Sequence, residues 1–160
     1  MNDESPSLLV RLLSIAFFSI LTLAALAWFF ISLVGLISQF HLRDPVIGFD
    51  KGSMYMFGIG LGLLLLTIGG VMQGMLGQEL SQKKETLFKR GIVISLILMF
   101  SFPQLTNYLV DKYAYSHHYR ICTDVTDRWL LYSKFYYTES KEACEKLVSE
   151  KEVTKISRGR

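Results

Sequence analysis

Long uncharged apolar stretches, separated by short polar segments, fill the first two thirds of the chain. The first covers residues 12–37, the second 54–76 and the third 91–110, and none of them holds an Asp, Glu, Lys, Arg or His. At about 1.5 Å of rise per residue, a helix of roughly 20 residues matches the ~30 Å hydrocarbon core of a bilayer. Lipid offers a backbone no hydrogen-bond partners, so each stretch is expected to be a helix. A chain of 160 residues is too small to bury three such helices on all sides, so a lipid bilayer is the expected surrounding. The small-x-small pattern Ala25-Leu26-Ala27 resembles a leader cleavage site. The apolar run continues past it through Trp28-Phe29-Phe30-Ile31, and an uncleaved anchor is the expectation.

After Val110 the pattern changes. Residues 118–123 and 129–137 are rich in aromatic and β-branched side chains and flank Asp124-Val125-Thr126-Asp127, which predicts a hairpin. Thr138-Glu139-Ser140 then reads as a helix start, with Ala143, Leu147 and Val148 sharing a face with Cys144 up to about Glu152, and a frayed end beyond Val153. The expected fold is thus a membrane all-α class: three transmembrane helices plus a small α+β (ββα) extracytoplasmic tail. The expected divisions are a cytoplasmic N-terminus at 1–11, the membrane domain at 12–110 and the tail module at 111–160.

Charge sets the orientation. The net charge is only +3, and the tail holds ten basic and eight acidic residues, a balance that argues against nucleic acid as a partner. The connection between the second and third stretches carries Lys83, Lys84, Lys89 and Arg90, whereas that between the first and second carries Arg43 and Lys51 offset by Asp44 and Asp50. Cytoplasmic connections are the Lys/Arg-rich ones. This puts the N-terminus in the cytoplasm and the C-terminal tail outside it, in the periplasm if the membrane is a bacterial inner membrane. Cys122 and Cys144, the two cysteines of the chain, both fall in that tail. In an oxidising compartment they pair, for about 3 kcal/mol by loop-closure entropy; two free thiols are the alternative.

Several patterns bear on chemistry. Gly58 and Gly62, and Gly70 and Gly74, are small residues four apart, a spacing that lets another helix approach closely. The neighbouring helices of the same chain, a second copy and a different membrane protein all fit that groove. Gln73 beside it is placed to hydrogen-bond across helices. Pro103 is expected to kink the third helix, and Tyr108, Tyr113 and Tyr115 to form an interfacial aromatic belt. His117-His118 would point to opposite faces of a strand and share no metal. No nucleophile, carboxylate or phosphate-loop arrangement stands out, so neither an enzyme nor a cofactor is expected, and the uncharged spans argue against transport. Trp129, Tyr132, Phe135, Tyr136 and Tyr137 are candidate partner-binding residues; the other reading has alternate members of this set as core and the rest at lipid headgroups.

The segments Tyr119-Arg120-Ile121-Cys122, Tyr132-Ser133, Tyr136-Tyr137 and Ala143-Cys144, after three spans, resemble the small three-span inner-membrane proteins of enterobacteria whose outer tail carries a Tyr-rich segment between two cysteines. Some proteins of this look are immunity proteins that neutralise a toxin arriving in the periplasm. The resemblance implies a non-catalytic binder with a toxin as partner. A structural or accessory subunit of an envelope complex, docked through the glycine groove on another membrane protein, is the alternative.

Overall fold

The computed structural model describes residues 7–74, 82–129 and 132–158. Three long helices dominate: α1 (Leu8–Leu42), α2 (Lys51–Gly74) and α3 (Gln82–Ser116). All three are long and apolar enough to cross a membrane. Between and after them lie strands β1 (Val46–Asp50), β2 (Arg120–Ile121), β3 (Asp127–Trp129) and β4 (Tyr132–Thr138), a 3-10 turn at Thr123–Val125, and helix α4 (Lys141–Arg158). The chain divides into two compact units, one holding the helical residues up to Phe29 with Tyr55–Ser101, the other Phe30–Met54 with residues from Phe102 onward.

In the first unit the glycines of α2 mark its packing surfaces, Gly58 and Gly62 toward α3, Gly60 and Gly70 toward α1. A Cβ on Gly58 would run into the Met99 backbone, and one on Gly60 would stand 2.9 Å from Leu26 Cγ. Gly62 faces Ser95 at 3.7 Å and Gly70 faces Ile15 at 3.8 Å. Phe29 and Phe57 add a ring contact at 4.9 Å. Absent side chains let the backbones close up, the way helices associate where no hydrophobic drive separates them from lipid. The hydroxyls within these helices turn inward on their own backbone. Ser19, Thr22, Thr67 and Ser95 each donate to the carbonyl four residues earlier at 2.8–2.9 Å, so these four hydroxyls are satisfied within their own helices. Large side chains such as Leu13, Ile20, Leu23, Val93 and Ile97 are left exposed, as lipid-facing positions are.

α1 and α3 outrun their apolar stretches at both ends, and α2 does so at its start. Residues 82–90, the basic connection, are the first turns of α3, with Lys89 and Glu85 paired at 2.7 Å one turn apart. α2 starts at Lys51 because Asp50 caps it: its Oδ1 accepts from Ser53 N at 3.2 Å. Pro103 is buried inside α3, which continues past it to Ser116.

The second unit holds the sheet. β4 is its central strand, antiparallel to β1 on one edge over the whole length of β1, from Val46 opposite Thr138 to Asp50 opposite Lys134. β2 and β3 follow each other along the opposite edge, opposite Tyr137–Thr138 and Tyr132–Lys134. Three expectations are corrected here. The hairpin is broken, since β2 spans only two residues before Cys122 leaves the edge into the 3-10 turn, and the loop between α1 and α2 contributes a strand. α4 also runs on to Arg158, where fraying was expected from Val153.

α1 and α3 end by the same device. Arg43 (φ 51°) and His118 (φ 64°) take left-handed conformations, and Asp44 N and Tyr119 N reach back to Gln39 O (3.2 Å) and Ala114 O (2.9 Å), the bond of a Schellman cap. Gly usually holds such a position; here two side chains bear the cost. His118→Gly is therefore expected to raise the melting temperature of the detergent-solubilised protein, the gain being about 1 kcal/mol. Gly58→Leu is expected to lower it, by about 3 kcal/mol of overpacking, while Gly62→Ala, which has room, leaves it nearly unchanged.

Candidate functional site

The candidate site is the face of the second unit built from both chain segments that flank the sheet. Ile47 and Phe49 of β1 are fully buried, and across the ladder they meet Tyr137 and Phe135, with the two phenylalanine rings stacked at 6.4 Å. Directly opposed residues share a sheet face, so this quartet is the core side. Tyr137 is only 2% exposed, and its hydroxyl donates to the Asp111 carboxylate of α3. Burial, and then the neighbouring carboxylate, push the phenol pKa well above its ordinary value of 10.0. Asp111 Oδ2 accepts a second bond from Asn107 Nδ2 at 3.0 Å.

The other face carries Tyr136 and Lys134. Lys151 of α4 lies across it, 5.0 Å from the centroid of the Tyr136 ring, and donates to Val125 O and Asp127 Oδ2, both at 2.6 Å. Cys122 and Cys144 are joined as a disulfide, which ties the start of α4 to the strand edge. Ser140 caps that helix through Ala143 N at 3.2 Å. Tyr119 Oη donates to Asp44 O at 2.8 Å, joining the caps of α3 and α1.

The aromatic set expected at a partner surface is thereby divided. Phe135 and Tyr137 face the core, Tyr136 lies beneath the Lys134 and Lys151 ammonium groups, and Tyr132 stays partly open at 38% exposure. Gly52 makes room for Tyr132: a Cβ there would lie 2.5 Å from the tyrosine Cδ2. The Trp129 backbone pairs with Tyr132, and its side chain lies outside the described residues. Of the glycine positions, Gly58, Gly62 and Gly70 are seated on helices of their own chain; the surroundings of Gly74 lie outside the described residues. Gln73 is exposed at the end of α2, with no cross-helix bond among the described residues. His117 stacks on Tyr113 at 4.1 Å and His118 occupies the helix cap, so the pair sits at a helix end, not on a strand.

Sequence reasoning missed an open cavity of about 600 Å³ at the end of α3, lined by Tyr108, Lys112, Tyr115, Tyr119 and Arg120 among others. Tyr108, Lys112 and Tyr115 are spaced i, i+4, i+7 and so share one helix face, a signal present in the sequence. Arg120 reaches it only because β2 turns back beside α3.

These features define a class of protein: a multi-pass membrane chain with a disulfide-bonded α+β unit assembled from two separate segments. Comparison with protein-family models, with curated proteins and with solved structures returns no match.

Folding holds Tyr137 protonated, since its folded pKa is raised. Its contribution to stability is complete below the unfolded value of 10.0 and is lost as pH rises above that value. The melting temperature is thus expected to fall above about pH 10, and to fall less steeply in Tyr137→Phe. Cys122→Ser is expected to cost about 3 kcal/mol of stability, read as the shift between oxidised and variant protein.

Proposed function

We propose that this is a non-catalytic, multi-pass protein of a bacterial inner membrane, with its N-terminus cytoplasmic and its sheet unit periplasmic, and that the sheet unit binds a protein partner in an immunity-type role, intercepting a toxin at the outer surface. The observation that carries the reading is the five-residue ladder between β1 and β4. Two spanning helices separate those strands along the chain, so both strands belong on one side of the membrane, the side opposite the Lys83, Lys84, Lys89, Arg90 cluster. The Cys122–Cys144 bond favours an oxidising compartment for that side. A rigid, cross-linked platform binds at lower entropic cost than a loose tail does.

The rival, an accessory subunit docked through the glycine groove, loses support from the same chain's occupation of that groove at Gly58, Gly62 and Gly70. Tyr132 and the tyrosines at the end of α3 offer partly exposed aromatic anchors instead.

Two measurements test this. A membrane-impermeant thiol reagent applied from the periplasmic side is expected to label Cys122 and Cys144 only after reduction; thiols reachable only from the cytoplasm would sink the orientation and with it the binder. Bacteria expressing the chain, challenged with a panel of purified membrane-active protein toxins, are expected to survive one of them. That survival is expected to fall at least tenfold in Tyr132→Asp, about the loss from one moderate anchor, and to persist in Gly62→Ala. Protection against no member of the panel would end the immunity role.

A further inference from the structure

The cavity at the end of α3 has a chemistry of its own. Tyr108 and Tyr115 are among the more exposed large side chains, at 62% and 86%, and they bracket Lys112 on one face of a helix that is long and apolar enough to span. Arg120, on the adjoining strand, borders the same cavity. Among the described residues neither Lys112 nor Arg120 has an ion pair or a side-chain hydrogen bond. The one carboxylate in the lining, Asp111, is already engaged, one oxygen by the Tyr137 hydroxyl and the other by Asn107 Nδ2. Two uncommitted cations therefore face an open, mainly apolar recess with tyrosine rings around its mouth. Tyrosines of this exposure are at home at headgroup depth, and Lys and Arg there reach for phosphate while their stems stay in apolar surroundings.

We propose that this cavity binds the phosphodiester headgroup of an anionic phospholipid, with Lys112 and Arg120 on the phosphate, Tyr108 against the glycerol and upper acyl region, and Tyr115, further out along α3 than Lys112, beside the headgroup. The assignment rests on α3 being a membrane span, and on nothing concerning a protein partner. Charge complementarity selects the occupant: a zwitterionic lipid brings its own ammonium to a recess that already holds two cations. Arg120 begins the edge strand that meets Thr138 of β4, so a lipid held there would seat the sheet unit on the membrane.

The test uses the full-length chain in detergent with phosphatidylglycerol or phosphatidylcholine added, and native mass spectrometry to count retained lipid. Phosphatidylglycerol is expected to be retained in preference. Lys112→Ala or Arg120→Ala should each weaken retention about fivefold and the double variant about thirtyfold, whereas Lys112→Arg keeps it. Lys141→Ala removes a charge that is paired with Glu145 at the surface and outside this cavity, and should leave retention unchanged. An intact Cys122–Cys144 bond, read as a mobility shift on reduction, establishes that each variant has folded. Equal retention of both lipids, an equal loss in Lys141→Ala, or displacement of lipid by millimolar inorganic phosphate would each overturn the proposal. Extraction of the chain from membranes by alkaline carbonate would instead mean that α3 is not a span, a failure separable from that of the lipid contact.

Discussion

The ladder between β1 and β4 is the constraint on which the second unit depends. Without it Ile47 and Phe49 lose their cover, and β4 retains only the five partners that β2 and β3 supply. A two-stranded ribbon is marginal in water, so a strand borrowed from elsewhere in the chain is what makes the sheet three strands wide. The borrowed strand lies about 90 residues away in sequence, a separation that in a free chain carries a substantial closure entropy. The sheet is therefore assembled from two distant segments, and the ladder makes one folded surface of them.

Both faces of that sheet are then closed with different chemistry. The core side is apolar with a single polar tether, Tyr137 to Asp111, fixing β4 to the last turns of α3. The opposite side is held by Lys151, whose ammonium is shared by a carbonyl, a carboxylate and the Tyr136 ring. An exposed ion pair alone contributes well under about 1 kcal/mol; here the disulfide has already brought α4 into place, and the lysine acts on a helix whose freedom is largely gone. Buried phenol and covalent cross-link carry the stability, while the ammonium sets the register of α4 on the sheet.

The spanning helices were legible from the sequence because lipid allows no alternative: uncharged stretches of this length must be helical, and glycines four apart mark where they touch. The start of α4 was legible too, from Ser140 and the amphipathic spacing after it. What was not legible is the sheet edge. Val46-Ile47-Gly48-Phe49-Asp50 alternates as a strand should, and Ile47 and Phe49 are indeed its buried positions. Five residues between two hydrophobic stretches nonetheless read as a connection, since strand identity came from a partner that local sequence does not contain. The break at Cys122 was hidden because the β-favouring run 118–123 shows no stop signal, whereas β2 ends at Ile121 and Thr123–Val125 form a 3-10 turn. The helix extensions escaped because charge was taken as the end of a helix, whereas Asp50 caps α2 and the Glu85–Lys89 pair sits comfortably in solvent.

The alternation that splits the Tyr-rich strand also narrows what a partner could recognise. Read as a composition, residues 129–137 look like a broad aromatic surface; in β4, Phe135 and Tyr137 are committed to the core and Tyr136 to Lys151 of α4. The accessible aromatic chemistry moves to Tyr132 at one end of β4 and to Tyr108 and Tyr115 on α3. These positions differ in kind. Tyr132 sits on the sheet beside Gly52 in the first turn of α2, whereas Tyr108 and Tyr115 flank Lys112 on a helix long and apolar enough to span.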